Sequence, residues 1–64
     1  MIVYDKLWIL LRKRGMKKTD LLKVISPPTL AKLGKNQRVS MEVLEKICKE
    51  LNCNFADIVD YVKE

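Results

Sequence analysis

Apolar residues recur along the chain at intervals of three and four positions, the spacing that forms one face of an α-helix. No stretch alternates apolar and polar residues as a half-buried strand does, so the pattern predicts an all-α chain. Capping residues, glycine and proline divide the pattern into five short helices. The predicted helices cover residues 4–14, 18–25, 28–34, 41–51 and 55–62.

The first predicted helix carries Leu7 and Leu11 on one face and ends before Gly15, a residue suited to the left-handed position after a helix. Trp8 lies beside this apolar face and is predicted to enter the core against the last helix. Ile9 lies farther around the helix, and the pattern allows it either to be exposed or to form a dimer contact.

The second and third predicted helices meet at Ser26, which two prolines follow. Ser26 is a favourable N-cap, and a proline in the first helical turn loses no hydrogen bond because that N–H has no helical partner. A residue before proline avoids the α conformation, so the third helix is predicted to begin at Pro28 rather than Pro27. Two short helices joined by a tight break form the hairpin typical of a helix-turn-helix.

The last two predicted helices have start signals of their own. Ser40 is predicted to cap the fourth helix, and Asn54 is predicted to cap the fifth, with Asp57 in the position of a capping-box acid. A chain of this length supports one core beneath the hairpin. We expect that core to contain Trp8, Leu21, Leu44 and Ile58.

Length and composition indicate a single small domain, residues 1–64. Cys48 and Cys53 are predicted to be free thiols that pack as small apolar residues, since two cysteines are too few for a secreted disulfide scaffold. The lack of histidine, of a glycine-rich phosphate loop and of a convergent carboxylate pair argues against an enzyme and a zinc site. No apolar run is long enough to span a membrane, and we expect a cytoplasmic protein without a cofactor or a small-molecule substrate.

The charge of the chain is divided unevenly between its two parts. Residues 1–38 contain ten Lys or Arg against two Asp, a net charge of +8, whereas residues 39–64 contain three Lys against six acids, a net charge of −3. The positive part coincides with the predicted hairpin, as expected of a surface that binds nucleic-acid phosphates. The alternative is a solvated surface with an excess of one sign.

Four stretches, residues 4–8, 16–21, 29–36 and 43–58, carry a resemblance to a known family. They read YDKLW, MKKTDL, TLAKLGKN and VLEKICKELNCNFADI. With five short helices around them, the chain resembles the lambda-repressor-like helix-turn-helix family of Cro, repressor and XRE-type proteins, and within it the small stand-alone bacterial regulators. The resemblance covers essentially the whole chain. It implies a compact five-helix DNA-binding domain in which the second and third helices form the helix-turn-helix.

The resemblance implies a transcriptional regulator that binds double-stranded operator DNA, usually as a homodimer. In that family the start of the second helix and the loop after the third hold phosphates. The matching positions here are Lys18, Thr19, Lys35, Asn36 and Arg38. Bases are read from the first turn of the third helix and from one turn farther along. The matching positions here are Pro27, Pro28, Thr29 and Lys32.

The turn of the hairpin departs from the family pattern. Seven residues separate Leu21 from Thr29, where the family normally has nine, and the usual glycine is absent. Pro27 and Pro28 cannot make bidentate hydrogen bonds to bases, although a proline ring can touch a thymine methyl. The sequence therefore predicts strong phosphate binding with reduced readout of bases. The alternative is a protein-interaction or dimerisation module on the same scaffold, working through the apolar residues around Trp8, Ile9 and Tyr61.

Overall fold

The computed structural model describes residues 1–63. Within them the chain forms three α-helices, two 3-10 helices and one two-stranded antiparallel sheet. In chain order these are β1 (Ile2–Val3), α1 (Asp5–Lys13), the first 3-10 helix (Lys18–Lys23), α2 (Pro27–Gly34), α3 (Met41–Leu51), the second 3-10 helix (Phe55–Asp57) and β2 (Asp60–Tyr61).

The three α-helices correspond to the first, third and fourth predicted helices, and their end signals act as predicted. The Ser40 hydroxyl accepts a hydrogen bond from the Val43 N–H at 3.2 Å, which caps α3. Gly15 has a φ of 67° just beyond α1, a left-handed conformation that glycine adopts without strain. Capping and glycine signals therefore locate these helices to within one or two residues.

The prediction of an all-α chain with five helices is wrong in its C-terminal part. The fifth predicted helix consists of one 3-10 turn, after which the chain extends and pairs with its own beginning. Ile2 lies opposite Tyr61, and Val3 lies opposite Asp60. Strands of two residues are too short to display alternation, so the sequence pattern held no signal for this sheet.

The second predicted helix is also shorter and tighter than an α-helix. The apolar spacing that predicted it does not distinguish bonding to the third preceding residue from bonding to the fourth. Here Asp20 N–H bonds to the Lys17 carbonyl at 3.0 Å, and Val24 N–H bonds to the Leu21 carbonyl at 3.0 Å. Both bonds are of the 3-10 type.

The helix α2 begins at Pro27, one residue earlier than predicted. Ser26 is its N-cap, as predicted, with extended backbone and a hydroxyl that accepts from the Thr29 N–H at 3.4 Å. Neither proline removes a helical hydrogen bond in the first turn, so the pair is accommodated there despite the usual restriction on a residue before proline.

One hydrophobic core joins the α-helices and both 3-10 helices. Leu21 and Ile58 are completely buried and Leu44 is 7% exposed, which confirms three of the four predicted core positions. Trp8 is only half-buried and packs against the edge of this core. Within residues 1–63, the other fully buried aliphatic side chains include Leu7, Leu11, Leu33, Ile47 and Leu51.

Both cysteines are free and half-buried, as predicted. Burial raises the pKa of the Cys53 thiol above its ordinary value of 9.0, and the neighbouring Cys48 thiol and Asp57 carboxylate raise it further. Cys53 is therefore protonated at neutral pH and packs as a small apolar side chain. Across residues 1–63, no helix has the length and apolarity required to cross a membrane.

Candidate nucleic-acid interface

The first 3-10 helix and α2 pack against each other and are joined by residues 24–26. Each buries one leucine completely, Leu21 in the 3-10 helix and Leu33 in α2. These two side chains fix which sides of the hairpin face the core. The predicted DNA-contacting residues that are exposed to solvent are Lys18, Thr19, Pro27, Pro28, Lys32, Lys35 and Arg38.

The start of the 3-10 helix is held by an acidic side chain. The Lys17 N–H donates to a carboxylate oxygen of Asp20 at 2.8 Å, which closes the first turn. Lys18 and Thr19 occupy that turn, so their side chains project from a backbone of fixed conformation. The Lys18 ammonium lies 4.5 Å from the centre of the Trp8 ring, within the range of a cation–π interaction.

The N-terminus of α2 has an unusual hydrogen-bonding state. A helix N-terminus normally presents several free N–H groups that attract phosphate. Here Pro27 and Pro28 have no N–H, and the Thr29 N–H donates to the Ser26 hydroxyl. The Thr29 hydroxyl lies 2.9 Å from the same Ser26 oxygen. The first turn of α2 therefore offers apolar rings and no free backbone donor.

Cations appear one turn farther along α2. Lys32 is exposed and lies four residues after Pro28, on the same side of the helix. Lys35 is the C-cap residue and is also exposed, and its N–H bonds to the carbonyls of Ala31 and Lys32. Positive charge in this element thus lies in its second half and beyond its end, away from the prolines.

The loop after α2 is fastened to the start of the chain by Tyr4. The Tyr4 N–H donates to the Asn36 side-chain oxygen at 3.2 Å, and the Tyr4 hydroxyl donates to the Gln37 carbonyl at 2.7 Å. Asn36 has a φ of 55°, which reverses the chain direction after the helix. Burial raises the pKa of the Tyr4 hydroxyl above its ordinary value of 10.0, against a smaller opposing effect of the Val39 backbone. The hydroxyl therefore stays protonated at neutral pH and remains a donor.

Arg38 extends the basic residues of this loop toward the sheet. Its side chain is exposed and lines an open concavity together with Ile2, Asn36 and Tyr61. Tyr61 is 65% exposed. The loop after α2 thus lies beside the two-stranded sheet, with Lys35 at its start and Arg38 farther along.

Three contacts near this surface escaped the sequence analysis. The hydrogen bonds from Tyr4 to Asn36 and Gln37 and the Lys18–Trp8 contact join residues from separate elements. No periodicity in the sequence indicates either of them. Arg14 had a signal, since it continues the buried face of α1 by helical spacing. Its guanidinium donates to the Leu51 carbonyl and caps the C-terminus of α3. Arg14 therefore has a structural role in joining α1 to the end of α3.

Comparison with known proteins agrees with this geometry. The crystal structure of the transcriptional regulator VanUg, Form II, superposes with a TM-score of 0.93 and is 49% identical in sequence. The match covers 98% of this chain and 87% of that chain. Comparison with curated proteins gave no match. The profile of the family described as Cro/C1-type HTH DNA-binding domain matches residues 6–64. The chain belongs to this Cro/C1-type helix-turn-helix family of DNA-binding domains.

Proposed function

We propose that this DNA-binding regulator holds operator DNA mainly through its phosphates, with little direct readout of bases. The observation that supports this most strongly is the first turn of α2, which has two prolines and a Thr29 N–H already bonded to Ser26. This turn has no free backbone donor for phosphate, and its two prolines have no side-chain donor for bases. Its one hydroxyl, on Thr29, lies 2.9 Å from the Ser26 hydroxyl. Binding must then depend on the exposed cations around it.

The phosphate contacts are assigned to the two ends of the hairpin. Lys18 and Thr19 approach the backbone from the start of the 3-10 helix, and Lys35 and Arg38 approach it from the loop that Tyr4 fastens. The Asn36 side chain uses its oxygen to accept from the Tyr4 N–H, which leaves its amide nitrogen as the group suited to donate to phosphate. Two anchors on either side of α2 would fix the helix in the groove.

Lys32 is the residue we assign to base readout. It is exposed, and it lies one helical turn after Pro28 on the side that would face the major groove. A lysine can donate to O6 and N7 of guanine. Pro27 and Pro28 are assigned apolar contact with the edges of bases, such as a thymine methyl, and Thr29 is assigned a supporting role beside them.

A duplex titration at several salt concentrations tests the proposal. We expect log K to fall steeply with log salt, by about 0.9 for each phosphate neutralised. Preferred and random duplexes should differ by less than the ~10³–10⁷-fold typical of good operators. A nearly flat salt dependence would contradict phosphate-dominated binding.

Three lysine variants assign the roles in the same titration. Lys35→Ala should weaken every duplex alike and reduce the salt slope by about 1. Lys32→Ala should cost about 1–3 kcal/mol on the preferred duplex and relax preference at one position. Lys49→Ala in α3 makes the same change of charge outside the helix-turn-helix, so it serves as the control and should have little effect. If Lys32→Ala behaves like Lys35→Ala on every sequence, Lys32 is a phosphate contact.

A second function, protein interaction or dimerisation, is favoured by exposed apolar side chains away from the hairpin. Ile9 is 49% exposed in α1, and Tyr61 is 65% exposed in β2. We assign these residues to contact with a second copy of the chain, since two linked hairpins would gain affinity for a two-site operator. Sedimentation of the wild type and of Ile9→Ala tests this contact. The Ile9 assignment fails if both proteins sediment alike. We further propose a cytoplasmic regulator without enzymatic activity.

A further inference from the structure

The contact between Lys18 and Trp8 joins the helix-turn-helix to a helix outside it. Trp8 lies in α1, is half-buried, and packs its indole against the edge of the core. Lys18 lies in the first turn of the 3-10 helix and is exposed, with its ammonium 4.5 Å from the ring centre. The core therefore holds the ring in place, and the ring faces the lysine.

An aromatic ring changes what a surface lysine can do. A free lysine side chain occupies many rotamers, and binding a phosphate requires most of them to be given up. A ring that attracts the ammonium restricts the side chain before any ligand arrives, and it leaves the charge intact. The ammonium has three N–H donors, so it can face the ring and still donate to an oxygen.

We propose that Trp8 is a positioning residue for DNA binding. Its ring holds the Lys18 ammonium at the leading edge of the hairpin, so that Lys18 meets a phosphate with little further loss of freedom. This inference rests on the proposed function, because it assigns Lys18 to a phosphate. It also makes α1 a contributor to DNA affinity through a side chain that need not touch DNA.

The first test needs no DNA. Trp8 is the only tryptophan in the chain, so tryptophan fluorescence reports on this ring alone. Lys18→Met removes the ammonium and keeps most of the length of the side chain, and it should shift the intensity or wavelength of the emission. Lys17→Met is the matched control in the same turn and should leave the emission unchanged. Emission that is the same in wild type and Lys18→Met would overturn the contact itself.

The second test is a double-mutant cycle with duplex DNA. Trp8→Leu should weaken binding about two- to tenfold, because the Lys18 side chain must then lose its rotamer freedom when it binds phosphate. In the Lys18→Met background, Trp8→Leu should cause no further loss. Trp8→Phe keeps a ring and should restore most of the affinity. Each variant is first checked for cooperative unfolding, and Trp8→Met replaces Trp8→Leu if the latter does not fold.

The outcomes separate the two proposals. Equal losses from Trp8→Leu in both backgrounds would show a general structural effect and overturn the positioning role. Unchanged binding by Trp8→Leu would show that the ring does not help Lys18 to bind, and tighter binding would show that the ring competes with phosphate. Either result overturns the positioning role. If the wild type binds no duplex, the proposed function fails, whereas the fluorescence of Lys18→Met still reports whether the contact exists.

Discussion

The two 3-10 helices begin with the same local structure, yet only the first carries predicted DNA-contacting residues. In the first, Lys17 N–H donates to Asp20 at 2.8 Å, and in the second, Asn54 N–H donates to Asp57 at 2.9 Å. The residue after each aspartate is completely buried, Leu21 in one case and Ile58 in the other. The two 3-10 helices therefore begin with the same hydrogen bond and the same buried position.

The difference lies in the two residues between the cap and the aspartate. The first turn places Lys18 and Thr19 there, both exposed, whereas the second places Phe55 and Ala56 there. Phe55 packs against the core, whereas Lys18 is exposed to solvent with its ammonium over the Trp8 ring. The same turn thus presents a cation in one place and packs an aromatic ring against the core in the other. A structural motif alone does not indicate which of the two it does.

The largest expected effect comes from truncating the buried residue that follows each aspartate. Leu21→Ala and Ile58→Ala should each lower the free energy of unfolding by about 2–5 kcal/mol, because both leave a cavity in a completely buried site. That loss is comparable to the whole stability of a domain this small. Denaturant unfolding followed by circular dichroism measures it.

Leu22→Ala is the control for that experiment, since Leu22 is 41% exposed and adjoins Leu21. It should change the free energy of unfolding only slightly. A Leu21→Ala or Ile58→Ala protein that unfolds like the wild type would contradict the complete burial of that side chain.

Substituting either of the two aspartates should have a smaller effect, of the same size at both positions. Asp20→Ala and Asp57→Ala each remove the carboxylate that accepts the first N–H of the turn. Each should lower the free energy of unfolding by about 1 kcal/mol, the usual effect of losing a helix-start hydrogen bond. Asp→Asn variants keep an acceptor oxygen and should lose less. Clearly unequal losses at the two positions would break the equivalence of the turns.

The smallest expected effect is a loss of stability at alkaline pH, and it should distinguish the surroundings of the two turns. Cys53 adjoins the second turn, and burial raises the pKa of its thiol above 9.0 in the folded state. A raised pKa stabilises the fold fully below pH 9, and this contribution is lost as the pH rises through the folded-state pKa. Burial also raises the pKa of the Tyr4 hydroxyl, so its contribution to stability is likewise lost as the pH rises, beginning above pH 10.

Urea unfolding between pH 7.5 and pH 10.5 would measure this loss of stability. Cys53→Ala should remove the part of the loss that begins nearer pH 9, and Tyr4→Phe should remove the part above it. Stability that rises over this range in the wild type would contradict both assignments.

Local signals predicted much of the fold. Ser26 and Ser40 cap α2 and α3 as their hydroxyls suggested, because capping depends on residues within one turn. The family resemblance, likewise carried by local stretches, led to the right family. Spacing was less informative between residues 18 and 25, since an apolar interval of three or four fits either a 3-10 helix or an α-helix.

What the sequence did not reveal joins residues that are far apart in the chain. Tyr4 reaches Gln37 and Asn36 across more than 30 positions, and it fastens the loop that carries the predicted phosphate contacts. The two-stranded sheet likewise pairs Ile2 with Tyr61 and Val3 with Asp60. The candidate contact residues follow from the family pattern, and the Ser26 cap and the prolines of α2 follow from the local sequence, whereas the contact between the Ser26 and Thr29 hydroxyls is visible only in the structure.

The two-stranded sheet imposes an order of assembly on the chain. Val62 N–H bonds to the Met1 carbonyl at 2.8 Å, so this pairing encloses nearly every other residue in one loop. Closing so long a loop is entropically costly unless the helices have already shortened it. The sheet should therefore form last and open first, with the helical core intact beneath it. Faster amide exchange at Val62 than at the core amide of Ile47 would show this order, and equal exchange would refute it.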